Sequence, residues 1–254
     1  MSKDKIVLYE KKGPIAYITL NRPEQINAMS QEVYDLLEEA VKDYTADNNL
    51  LCAIITGAGG NFSAGGDLKE RVKRLHSTYG VFPTYRAMEQ CPKPFIAAVD
   101  GYCLASGFNC AVLFCDIRIA SERAKFGVPV VKRGLSARYP NPYTWHMSLG
   151  NVLYMVLTGK ELNAKEALRM GLVSEVVPHK KLMERATELA TMIGEAAPKH
   201  VRAYKQFFRR FVEVPGSFGQ GLVDMIMPSL RSAQDSVEGR EAFLEKRKPE
   251  FKNK

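Results

Sequence analysis

Two short turns rich in small residues carry the groups best able to do chemistry. The first is Asn61-Phe62-Ser63-Ala64-Gly65-Gly66-Asp67-Leu68, and the second is Gly101-Tyr102-Cys103-Leu104-Ala105-Ser106-Gly107. Each follows an apolar run, Leu51 to Thr56 and Pro94 to Val99, that is short, bounded by turn residues and reads as a buried strand. Each then leads into a helical stretch. Two such turns can aim backbone N–H groups at one point, with the positive end of a helix behind them. A carbonyl held there would have its developing enolate oxygen stabilised by donors already in position, which defines an oxyanion hole.

The elements that must position these turns are legible on either side of them. Ile6 to Tyr9 and Ile15 to Leu20 read as strands, a helix begins near Gln31, and the alternation of strands with helices indicates an α/β fold. Ser30 is a good N-cap for the helix from Gln31. Asn163 with Glu166 three residues on has the form of a capping box opening a helix over Ala164 to Met170. After Pro178 the pattern becomes helical, punctuated by Pro198, Pro215 and Pro228. The change at Ala196-Ala197-Pro198 divides the chain into a core over 1–196 and a helical region over 197–254.

The chain has 254 residues, enough for a substantial core, and its composition is that of a soluble globular protein. No apolar signal segment or run of about 18 apolar residues occurs, so a cytoplasmic protein without a membrane partner is expected. Five cysteines without a C-x-x-C pair, mostly in apolar segments, read as reduced buried thiols rather than metal ligands. The net charge of +8 favours anionic partners without choosing among them. Lys199, Arg202, Lys205 and Arg209 recur at helical spacing beside an apolar stripe of Val201, Tyr204, Phe208 and Phe211. That pattern reads as a solvated amphipathic helix, with a contact to the phosphates of a small ligand or of RNA as the alternative.

The two turns together resemble the crotonase (enoyl-CoA hydratase/isomerase) superfamily. The resemblance continues through Leu20-Asn21-Arg22-Pro23 with Asn27-Ala28, Cys115-Asp116-Ile117-Arg118-Ile119-Ala120, Phe126-Gly127-Val128-Pro129, Leu157-Thr158-Gly159, Gly171-Leu172-Val173 and the segment from Glu238-Gly239 to Pro249. It implies a spiral of strand-strand-helix turns over 1–196, and a C-terminal helical region over 197–254 that assembles a homotrimer or a hexamer. It also implies an acyl-CoA lyase with no cofactor beyond the CoA moiety of its substrate. One oxyanion donor maps to the N–H of Gly66. The second falls on Ser106 counted forward from Gly101, or on Gly107 counted backward from Asp116, because the chain carries one residue more than the family pattern between these anchors. CoA contacts carry over to Arg22, Ala28, Ala64, Asp67 and Leu68, and in the C-terminal segment to Phe243 and Lys246, which in the family can touch CoA of a neighbouring subunit. Lys69, Arg71, Lys73 and Arg74 form either a basic rim or a solvated face.

The departures from the family are as informative. Family hydratases use two glutamates, and here the first position is Asn109, or Cys110 in the other register, while the second is Val130. Neither Asn nor Val can transfer a proton, and each such group contributes roughly 10²- to 10⁴-fold. A loop from Arg138 to His146 replaces the small residues expected there. Arg138 could pair with a substrate carboxylate, Tyr139 or Tyr143 could donate a proton, and His146 could act as base. The plain alternative is a surface loop stiffened by two prolines with Trp145 in the core, and for His146 taken singly that alternative is preferred.

The expected activity is therefore enolate stabilisation in an enoyl-CoA hydratase-like lyase with substitute acid/base groups, on a cyclic or otherwise unusual enoyl-CoA. Decarboxylation, isomerisation and thioester hydrolysis are its rivals within the family. An RNA-binding or non-catalytic acyl-CoA-binding member is the rival from another class.

Overall fold

A computed structural model describes residues 5–73, 81–133, 143–213 and 233–252. Strands β1 (Val7–Lys12) and β2 (Ile15–Leu20) form an antiparallel hairpin, and helix α1 (Gln31–Ala46) follows. β3 (Cys52–Gly57) lies parallel to β2 and leads through the first turn to α2 (Leu68–Lys73) and α3 (Val81–Gln90). β4 (Phe95–Val99), β5 (Tyr102–Leu104) and α4 (Ser106–Asn109) carry the second turn. β6 (Ile117–Ser121), β7 (Lys125–Gly127), α5 (Leu149–Thr158), β8 (Leu162–Asn163), α6 (Ala164–Arg169) and β9 (Glu175–Val177) follow. The described chain ends with α7 (Leu182–Gly194), α8 (Pro198–Glu213) and α9 (Gln234–Glu245).

Two sheets result, one ordered β1-β2-β3-β4-β6-β9 and a smaller one ordered β5-β7-β8. Beyond the β1–β2 hairpin the large sheet is parallel, so both its faces must be covered. Alternation within β3 and β4 does this: Ala53, Ile55, Ala97 and Val99 enter the main core against α1, whereas Ile54, Ile96 and Ala98 meet Leu182, Ala186 and Ala190 of α7. The α7 residues recur every fourth position and are small enough for close approach. The Ser30 cap forms, its hydroxyl accepting from the Val33 N–H, and the Asn163–Glu166 box closes in both directions. All five cysteines are free and buried. Among the described residues no helix is long and apolar enough to cross a membrane.

Helix α8 overturns the expectation of a solvated basic face. Lys205, only 7% exposed in its side chain, reaches the Asp116 carboxylate at 2.9 Å and donates to the Lys93 carbonyl. Arg209 donates from Nε to Asp116 Oδ1 at 2.9 Å and from Nη1 to the Leu113 carbonyl. The stripe outside is aromatic instead, with Tyr204 50% and Phe208 68% exposed. The reason is Asp116, a carboxylate at the foot of β6 whose charge is offset chiefly by the cations Lys205 and Arg209 of α8.

Burial pushes the Asp116 carboxyl up, but Lys205 and Arg209 outweigh burial and hold it below the ordinary aspartate value. A carboxylate with a depressed folded-state pKa contributes stability that is complete above its unfolded value of about 3.9 and is lost as pH falls through its folded value. Asp116→Asn leaves two cations facing each other without a counter-charge. It is expected to lower the unfolding free energy by about 3 kcal/mol at neutral pH and to flatten the acid limb of stability, as read from denaturant melts across pH.

Candidate active site

The first turn is held by a network that starts at Asn27. This residue is buried with φ 52°, and its side chain donates to the carbonyls of Ala58 and Asn61 while accepting from the Arg22 N–H. Ser63 donates to the Asn27 carbonyl and accepts from the Gly65 N–H at 3.1 Å. Met29 and Gly66 then form an isolated parallel bridge in which Met29 donates to the Gly65 carbonyl and Asp67 donates to the Met29 carbonyl. That pattern leaves the Gly66 N–H directed away from Met29, and it has no acceptor among the described residues.

The residues expected at the nucleotide form one patch beside Gly66. Arg22 donates to the Ala28 carbonyl at 2.6 Å and to Asp67 Oδ2 at 3.0 Å, so its guanidinium braces the turn from within. Asp67 Oδ1 also caps α2 through the N–H groups of Lys69 and Glu70. Ala64 donates to the Ile26 carbonyl, and Leu68 is exposed at the rim. Lys246 is exposed with φ 56° beyond α9 and no described contact brings it to this patch; the Phe243 side chain lies outside what is described.

The second turn lies against the first. Ser63 bridges Cys103 in parallel, donating to the Tyr102 carbonyl and accepting from the Leu104 N–H. Gly65 has φ +101°, and a side chain there would meet Ala105 Cβ and the Leu104 carbonyl, each at 2.9 Å, with the Ser106 nitrogen 3.4 Å away. Only glycine fits. Ala105 takes φ 48° and ψ −111°, a conformation costing an L residue roughly 1–3 kcal/mol, and this kink turns the chain from β5 into α4. Ser106 opens α4, and its N–H, like that of Gly66, has no acceptor among the described residues. Gly107 does a different task. A side chain there would lie 2.6 Å from Ser63 Cβ, so its bareness lets α4 close onto the first turn.

The helix that Ser106 opens changes form downstream of these groups. α4 passes directly into a π-helical turn over Cys110–Phe114, the form a helix takes when it accommodates one additional residue without breaking.

Asn109 is brought to Tyr143, whose hydroxyl donates to Asn109 Oδ1 at 2.6 Å while its ring meets Phe108 edge-on. Val130 is partly buried and packs on the core, an apolar wall without a titratable group. His146 is held down to about 4 by burial and by the charges of Arg118 and Arg209, so it is neutral at pH 7. Those neighbours, with Asp116, belong to the foot of α8 rather than to the Asn109–Tyr143 pair. Trp145 is 43% exposed and not a core residue, because the turn Tyr143–Trp145 buries Tyr143 instead. Arg138 and Tyr139 lie outside the described residues.

Sequence reasoning did not find two supports. Asp100, immediately before the second turn, accepts from Ser121 at 2.5 Å and from Arg123 Nε, and pairs with His179 at 2.7 Å, while its carbonyl accepts from the Phe62 N–H. It ties β4, β6 and the approach to α7 to both turns. Tyr85 of α3 donates to the Ser106 carbonyl at 3.1 Å. Neither belongs to a recognisable local motif, and only its distant partner reveals its use.

The family model for enoyl-CoA hydratase/isomerase matches residues 10–254. The chain is 33% identical to short-chain-enoyl-CoA hydratase of Clostridium acetobutylicum, covering 98% of each protein. It is 31% identical to 2,3-dehydroadipyl-CoA hydratase of Escherichia coli over 98% of this chain and 99% of the relative. The crystal structure of enoyl-CoA hydratase subunit I from Geobacillus kaustophilus superposes with a TM-score of 0.93 at 32% identity, covering 100% of both chains. With the two facing turns, the two-sheet core and matches of this extent, the chain belongs to the enoyl-CoA hydratase/isomerase family of the crotonase superfamily, enzymes that act on acyl-CoA thioesters.

Proposed function

We propose that this protein is an enoyl-CoA hydratase-type lyase that stabilises a thioester enolate between the N–H groups of Gly66 and Ser106, with Asn109 and Tyr143 in place of the usual carboxylate acid/base. The reading is supported by the close approach of Gly65 to Ala105 and Ser106 and by the amides of Gly66 and Ser106, which have no acceptor among the described residues. Ser106 is preferred to Gly107 because Gly107 is committed to packing on Ser63. In hydration, the water oxygen bonds to Cβ, the double-bond pair moves into the enolate, and Cα then takes a proton as the carbonyl re-forms. One water supplies both the hydroxyl and a proton. Because Tyr143 donates to Asn109 Oδ1, the amide NH₂ of Asn109 is the end left to hold the water oxygen or the acyl group. CoA lies along Ala28, Ala64, Asp67 and Leu68 in this reading, and 197–254 assembles trimers or hexamers.

A second reading is favoured by one observation, the lack of a proton acceptor at Asn109 and Val130. Decarboxylation breaks the Cα–CO₂ bond, delivers its electron pair to the same enolate and requires no base. Mass analysis of products from crotonyl-CoA, 2,3-dehydroadipyl-CoA and an α-carboxylated acyl-CoA separates the two: gain of water supports the first, and loss of CO₂ replaces it with the second. A carboxylated enoyl-CoA is included because Arg138 is a candidate partner for it. On the productive substrate, Tyr143→Phe is expected to lower kcat by about 10- to 100-fold, the equivalent of leaving one buried polar group unpaired. Unchanged kinetics would return the Asn109–Tyr143 pair to a packing role.

A further inference from the structure

Tyr85 is buried on α3, its ring stacked on Phe114 with centroids 4.4 Å apart and planes 18° from parallel. Phe114 closes the π turn, and Ser106, whose carbonyl accepts from the Tyr85 hydroxyl at 3.1 Å, opens α4. One side chain thus grips both ends of the segment Ser106–Phe114. That segment gains from an outside brace: α4 is a single turn, and the π turn behind it is a rare form that occurs mostly as a single-turn bulge within an α-helix. The Ser106 carbonyl also accepts from the Cys110 N–H, and the Tyr34 hydroxyl stands 3.5 Å from that of Tyr85, at the outer limit of a hydrogen bond.

In a helix the N–H and C=O of a residue lie nearly along one axis in opposite senses, so fixing where the carbonyl points fixes where the amide points. The Ser106 amide has no acceptor among the described residues, and its nitrogen lies 3.4 Å from where a Cβ on Gly65 would stand. Burial raises the Tyr85 ionisation well above the ordinary phenol value, which keeps the hydroxyl protonated as a donor throughout the physiological range.

We propose that Tyr85 is a positioning residue for the oxyanion hole: by holding the Ser106 carbonyl it aims the Ser106 N–H at the thioester oxygen. The inference rests on the two-donor hole proposed above. It concerns a residue that touches neither CoA nor the reacting carbons, so its effect must appear as polarisation of the carbonyl rather than as affinity.

The test uses butyryl-CoA carrying ¹³C at the thioester carbonyl, a saturated ligand that cannot be hydrated, and infrared difference spectra of its complex with the full-length protein. Binding to the wild type is expected to lower the carbonyl stretching frequency relative to free ligand, since two N–H donors weaken the C=O bond. Tyr85→Phe keeps the stacked ring and removes only the hydroxyl. It is expected to lose a large part of that downshift while Kd stays within about twofold and the melting temperature within a few degrees. A full downshift in Tyr85→Phe overturns the proposal. So does a lowered melting temperature with the downshift intact, which would make the hydroxyl a purely structural bond. Gly66→Pro separates this from the parent reading: if Gly66→Pro abolishes the shift and Tyr85→Phe leaves it, only the role of Tyr85 fails, and if Gly66→Pro leaves it, the hole itself is wrong.

Discussion

Gly66→Pro is expected to lower kcat by at least about 10²- to 10³-fold, the loss seen when one preorganised donor is taken from an oxyanion hole. Proline removes the N–H and nothing else that the bridge uses, since Met29 bonds to the Gly65 carbonyl and the Asp67 amide. Gly66 is also not among the residues with positive φ. The substituted protein should therefore fold, with a circular dichroism spectrum and melting temperature close to those of the parent. Steady-state kinetics on the productive acyl-CoA decide the matter, because full activity in a folded Gly66→Pro protein would eliminate this amide as a donor.

Crotonyl-CoA hydration is expected to run at least about 10²-fold below that of a two-glutamate hydratase assayed beside it, because each missing proton-transfer group contributes roughly 10²- to 10⁴-fold. The lower bound allows for water held by Asn109. Loss of the ultraviolet absorbance of the conjugated thioester measures the rate directly. Asn109→Glu puts a carboxyl back next to Tyr143 and is expected to raise this rate, since the position is only half-buried and an ionised side chain can be tolerated there. Hydration by the parent protein at the pace of a two-glutamate enzyme would mean that Asn109 and Val130 are not where the chemistry occurs.

Local patterns in the sequence placed the strands and caps well, and contacts across the chain were where it fell short. Ile15 to Leu20, Ser30 before Gln31 and the Asn163–Glu166 box are written in adjacent residues, and the structure forms each of them. The π turn over Cys110–Phe114 has no local signature in the sequence, since it depends on strand β6 and the second turn both being fixed by the sheets. Helix α8 was amphipathic on inspection, yet which face turns inward is set by Asp116, 93 residues before Arg209 in the chain. Asn109 and Tyr143 were each recognisable as candidates, and only folding across 34 residues makes them a hydrogen-bonded pair. Tyr85 and Asp100 carry no local signature, since a tyrosine or an aspartate beside apolar residues is common and its partner is remote.

The burial of all five thiols bears on chemical selectivity. A thioester is an acyl donor to any thiolate it meets, and exchange would leave the acyl group on the protein while releasing CoA. Cys110 follows Asn109 directly, so it is the cysteine with most opportunity for this transfer. Burial pushes its thiol up to about 12. At pH 7 the reactive anion is then a negligible fraction, and no solvent-exposed thiol accompanies it. At the proposed site the fold would hold a cysteine near the thioester yet protonated and enclosed, which disfavours self-acylation of the folded protein. Alkylating reagents should accordingly count no thiols in the native state and five after denaturation, which makes thiol labelling a direct clock for opening of the core.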